Sequence, residues 1–136
     1  FNDNEFPYMS SFLELGSFGY GTIKDRRLLD ICTVDSFVNS EMLSDIDILK
    51  IDVQGFEYDI VKGCSYLLRE NKIKLIHVEL TLTDMYSGSS NVENLFKLLY
   101  ESRFVLSGIY RQHFQDGYLS WADGLFVHQS LLNSHM

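Results

Sequence analysis

Asp52 and Glu79 are the residues in this chain whose type and spacing could do chemistry. Asp52 stands at the end of the apolar run from Ile48 to Val53, and Glu79 near the end of the run from Lys74 to Leu80. If the two runs are neighbouring strands of an open α/β sheet, both carboxylates face one crevice, which is where such sheets bind ligands. Two acids there can hold a metal, take a proton from a hydroxyl, or orient backbone amides at a helix start. His77 lies two residues before Glu79 and shares its face of the strand. No third convergent ligand accompanies them, so His77 reads as a core histidine and no metal site is assigned. Gly55 suits a tight turn with close backbone approach. Glu57 falls in the first turn of the following helix, where a negative charge suits the helix dipole. Tyr86, His113 and Trp121 belong to segments expected to overhang the crevice and shape a substrate pocket.

The elements that must position these residues follow from periodicity. Residues 1–22, rich in Asn, Ser, Gly and aromatics, read as irregular with at most one short strand. Arg27 to Thr33 reads as a short strand. Asp35 is placed to cap a short helix over Ser36 to Leu43. A turn at Ser44 to Asp47 leads into the Ile48 strand. Phe56, Ile60, Val61, Cys64, Leu67 and Leu68 recur at helical spacing and predict one amphipathic helix from Phe56 to about Glu70. The Lys74 strand follows, then a polar loop over Thr81 to Ser90. Ser90 and Glu93 have the spacing of a capping box and open a helix to about Ser102. Phe104 to Tyr110 and Gly124 to His128 read as two last strands, joined by a long aromatic link.

Helices between the early strands favour parallel pairing with right-handed crossovers. The final two strands have no helix between them and should be antiparallel. The expected fold class is α/β, a single domain. The Ile48 and Lys74 strands should be adjacent and parallel, with the Gly124 strand beside the Lys74 strand and the Phe104 strand at the outer edge.

The totals exclude several classes. The chain has 136 residues, 46% of them hydrophobic, enough for one modest core. A net charge of -8 argues against a nucleic-acid or anionic-membrane surface. Lys24, Arg26 and Arg27 form a basic cluster that reads as a solvated turn. No apolar run approaches the ~18 residues of a membrane span. Cys32 and Cys64 read as buried, reduced thiols, and the expected compartment is cytoplasmic.

The words Ile51-Asp52-Val53-Gln54-Gly55, then Glu57 and Lys62-Gly63, resemble the FkbM-type family of S-adenosylmethionine-dependent methyltransferases. Thr33-Val34-Asp35-Ser36-Phe37 and Val78-Glu79 extend the resemblance over roughly residues 10 to 128. Gln54 stands where that family usually has Glu. The resemblance implies the carboxyl-terminal half of a class I, Rossmann-like methyltransferase sheet. It implies S-adenosylmethionine as cofactor, held by Asp52, Val53 and Gly55, with Asp52 and Glu79 catalytic. Glu57, Tyr86, His113 and Trp121 would meet a small-molecule or glycan acceptor, methylated on oxygen. The family's glycine-rich cofactor loop has no clear counterpart; Gly16 to Gly21 imitates it with different spacing and reads as a surface turn. This chain alone is therefore expected to bind the cofactor weakly or not at all. The open edge of the Ile48 strand is expected to support a homodimer. Two rival readings are a non-catalytic assembly module and an unrelated α/β enzyme that uses Asp52 and Glu79 with a divalent metal.

Overall fold

A computed structural model describes residues 1–89 and 92–132. The principal sheet has four strands: β4 (Ile46–Ile51), β5 (Ile73–Thr81), β7 (Phe104–Gln115) and β8 (Tyr118–His128), in the order β4-β5-β8-β7. β4 and β5 are parallel, whereas β8 runs antiparallel to both β5 and β7. This is the expected order, with β7 outermost.

Alternation on β5 decides its faces. Ile76, Val78 and Leu80 are buried in one cluster with Val38, Val61, Cys64, Leu67, Leu95 and Leu99 from the helices. The residues between them, including His77 and Glu79, lie on the other face. The helices are α1 (Val34–Ser40), α2 (Glu57–Lys62), α3 (Ser65–Arg69), α4 (Val92–Glu101) and α5 (Gln129–Leu132). None is long and apolar enough to cross a membrane. The capping box at Ser90 and Asn91 lies outside the described residues.

Several local expectations are corrected. The apolar face predicted from Phe56 to Glu70 is buried as expected, but two helices share it. Asp35 explains the break. Its carboxylate accepts from the backbone N–H of Tyr66 (2.7 Å) and Leu67 (3.1 Å), donors that a continuous helix would aim at its own preceding turn. Asp35 therefore caps α3 and not its own helix. Thr33 caps α1 by accepting from the N–H of Ser36 (3.1 Å). Arg27 to Thr33 is not a strand: it pairs with no sheet strand, Leu28 is fully exposed, and Cys32 is exposed rather than buried.

Residues 1–22 are more ordered than their composition suggests. β1 (Asn2–Asn4) pairs with β3 (Ile23–Arg26), and β2 (Glu14–Leu15) pairs with β6 (Tyr86–Ser87). Buried asparagines knit this strap: the Asn2 amide donates to the Leu13 carbonyl and the Asn4 amide to the Tyr20 carbonyl. Arg27 pairs with Asp3 and Arg26 with Glu14, so two members of the basic cluster are strap fastenings. The aromatic link expected from Arg111 to Asp123 is instead the tip of a long hairpin. Asp116 and Gly117, at φ 51° and 83°, form its two-residue turn.

Candidate functional site

Register brings the two acids together. Ile51 lies opposite Val78 across the parallel pair, so the next residues, Asp52 and Glu79, come side by side, Asp52 just past the end of β4 and Glu79 still within β5, opposite Asp123 of β8. Between them sits Gln54, whose Nε2 donates to Asp52 Oδ1 (2.9 Å) and Glu79 Oε2 (3.2 Å). The Tyr86 hydroxyl donates to Gln54 Oε1 (2.6 Å).

The environments of the two carboxyls separate their proton affinities. Burial opposes charge on Asp52, but the Lys50 ammonium (2.9 Å) and the Gln54 amide outweigh it and hold the group below its ordinary range. Burial pushes Glu79 up to about 7, and the negative charges of Asp52, Glu57 and Asp123 add to the effect. Such a split gives one fixed anion and one group that exchanges a proton near neutrality.

Both acids line a cavity of about 280 Å³, together with Tyr8, Met9 and Tyr20 of the strap, Met85, and Arg111, His113 and Trp121 of the hairpin. The His113 and Trp121 rings stack at 5.2 Å and 14°. Arg111 is aimed here by an irregularity in the hairpin. Tyr110 faces Asp123 and His113 faces Trp121, so Arg111 and Gln112 bulge opposite one residue, with Arg111 at φ 42°. Bulges of this kind re-aim side chains. The Arg111 Nε donates to Asp123 (2.5 Å), a buried acid that His77 Nε2 also approaches at 3.6 Å.

Of the residues singled out from sequence, Asp52, Glu79, His113 and Trp121 thus converge. The others build the turn that carries Asp52. The Glu57 carboxylate is buried and accepts from the N–H groups of Val53 (3.2 Å) and Gly55 (3.1 Å). Burial raises its proton affinity against those bonds. At Gly55, φ 92°, a Cβ would come within 2.9 Å of the Tyr86 ring, so the close neighbour that demands glycine is Tyr86. Tyr86 is itself buried, its hydroxyl committed to Gln54. The residues missed are Gln54, Arg111 and the strap's Tyr8, Met9 and Tyr20. The Gly16 to Gly21 segment is the strap's support: Gly16 N–H donates to the Met85 carbonyl (2.8 Å), and Ser17 N–H to the Asp84 carboxylate (3.0 Å). Among the described residues no group of three or more His, Cys, Asp or Glu is placed to hold a metal.

A family model described as the methyltransferase FkbM domain matches residues 5–106. The chain belongs to the FkbM methyltransferase family. No curated protein and no solved structure matches it. The matched span takes in the strap from Glu5 onward, both acids and the start of β7. Arg111, His113, Trp121 and Asp123 lie beyond it.

Proposed function

We propose that this FkbM-family chain serves S-adenosylmethionine-dependent methyl transfer to a hydroxyl oxygen, with Glu79 as the proton acceptor. The carrying observation is Glu79 itself: a carboxyl tuned to about 7, on the wall of the strand-exit cavity, beside a carboxylate held ionised. A base works best with a proton affinity near the working pH.

The residues fit the reactive end of the cofactor. A cation is favoured by Asp52, by Glu79 once ionised, and by the faces of Tyr8, Tyr20 and Trp121. The cavity is small against the roughly 300–1,000 Å³ of sites that bury a whole drug-sized ligand, which supports a role for these residues toward the sulfonium and the acceptor. When bound, the cofactor supplies a methyl group on a positively charged sulfur that departs as a neutral thioether. The chain's own residues then do the following. Glu79 takes the hydroxyl proton as the oxygen becomes a nucleophile. Asp52, with Lys50 and Gln54, keeps a fixed negative charge beside it. The stacked His113 and Trp121 give a flat wall against which a small molecule or a glycan unit would lie, and Tyr8, Met9 and Tyr20 of the strap line the cavity with them. The sheet order, a parallel pair followed by an antiparallel hairpin with its last strand inserted, supports the carboxyl half of a class I, Rossmann-like sheet. Because Arg111, His113 and Trp121 lie beyond the family match, acceptor choice is read as this chain's own feature.

The test is methyl transfer from labelled S-adenosylmethionine to a panel of hydroxylated acceptors, monosaccharides included, by the protein expressed from its complete gene. The rate should rise with pH through about 7 and then level. Glu79→Gln should lower it by about 10²–10⁴-fold. Transfer only to nitrogen or carbon, or a rate flat from pH 6 to 8, would overturn the reading.

A further inference from the structure

We propose that Gln54 is a positioning residue: its amide joins Asp52 and Glu79 into one unit and fixes the Glu79 carboxyl in the cavity wall where an acceptor hydroxyl would meet it. The inference rests on reading Glu79 as the proton acceptor.

The geometry leaves the amide one useful orientation. A primary amide has two N–H donors, and here one goes to each acid, at 2.9 Å and 3.2 Å. Its oxygen accepts from the Tyr86 hydroxyl at 2.6 Å, and that hydroxyl is buried with Met9 Sδ as its other neighbour, at 3.6 Å. Turned by half a rotation, the amide would set its oxygen against two carboxylates. The backbone is held as firmly. Gln54 sits at φ 57°, an uncommon region for a residue with a side chain, and its carbonyl accepts from Ser11 Oγ at 2.7 Å. The strap thus holds the residue that holds the acids.

In this chain, where an amide stands in place of the acid usual in the family, the charges around Glu79 give the bridge its effect. Asp52 and Lys50 face it from the β4 end, Glu57 from α2, Asp123 from β8 and Arg111 from β7, with the Tyr86 phenol beneath. Acids outnumber bases there. Among the described residues Gln54 alone hydrogen-bonds to both Asp52 and Glu79. Without it the two carboxyls would repel across an open gap, and Glu79 would both bind its proton more tightly and lose its fixed direction.

Two variants test this. Gln54→Glu keeps the length and removes both donors. Gln54→Asn keeps the amide and a backbone at ease in the left-handed region, but it is one methylene too short to span both acids. Each is compared with the parent by ¹³C carboxyl NMR titration of Glu79 and by kcat and KM on one acceptor. In Gln54→Glu the Glu79 midpoint should rise by about one pH unit or more. The pH–rate profile should move with it, kcat should fall at least about tenfold, and KM should change little. Gln54→Asn should shift the same way by less. A Glu79 midpoint that stays put in both folded variants overturns the proposal, whatever happens to kcat. If the parent methylates no oxygen acceptor, the functional reading fails separately, and the carboxyl titration still decides whether Gln54 unites the two acids.

Discussion

Glu79 is tuned at the expense of the fold. Its carboxyl keeps a proton in the folded chain up to about pH 7, whereas the unfolded chain releases it near the ordinary glutamate value of 4.5. The folded state therefore binds more protons across that window, and stability falls as pH rises from about 4.5 to about 7, then levels. The loss is on the order of 3 kcal/mol. Glu57, raised by burial, adds a slope of the same sign. Glu79→Gln should thus be more stable than the parent at pH 8 by a similar amount, with a shallower decline below pH 7. Urea unfolding across that range checks this, and a variant less stable at pH 8 would contradict it. At this scale the sequence exposed only part of the site. Asp52 and Glu79 were legible because strand ends carry function in α/β sheets. Gln54 was not, since its role is written in three hydrogen bonds to residues up to 32 positions away. Arg111 was hidden by the bulge that turns it inward.

The elements were legible wherever burial sets a period and illegible wherever one side chain breaks it. Alternation on β5 and the apolar face from Phe56 to Leu68 both follow from the hydrophobic pattern. The break between α2 and α3 does not, because Asp35 causes it from about thirty residues away. Asp116-Gly117 is a readable hairpin signal, masked by the aromatic residues around it, which resemble a loop that covers a core edge. Helix ends tell a related story. α1 ends with Met42 at φ 53°, a left-handed position where a side chain strains the backbone. Met42 is about nine-tenths exposed, so its side chain contributes little packing in exchange. Met42→Gly should raise stability by about 0.5–1 kcal/mol. Asp35→Ala should lower it by about 1 kcal/mol through lost capping of α3. Thermal unfolding of the two variants checks both signs; a destabilised Met42→Gly would mean the methionine packs in solution.

The whole molecule has one conspicuous weakness, the outer edge of β4. β5 takes the hydrogen bonds on one side, and among the described residues no strand takes those on the other. Ile48 in that strand is 62% exposed, and Leu28, Ile31, Met42 and Leu43, all earlier in the chain, are exposed as well. An apolar strand with an open row of N–H and C=O groups is a template for pairing unless charge, proline or a covering element blunts it. Asp47 and Lys50 supply some charge, but Asp47 is paired with Lys74 and Lys50 with Asp52, so neither stands free to repel a neighbour. The Arg27 to Thr33 segment, well placed in sequence to cover the edge, is held instead by Arg27 on Asp3. We therefore propose that two copies pair through this edge across a two-fold axis, each satisfying the other's open backbone. Light scattering should give a mass that rises toward twice the monomer with concentration. Ile48→Lys, a charge on the exposed strand, should hold the protein monomeric with its melting temperature nearly unchanged. A monomer at every concentration would exclude the pairing, and a dimer indifferent to Ile48→Lys would move it to another surface.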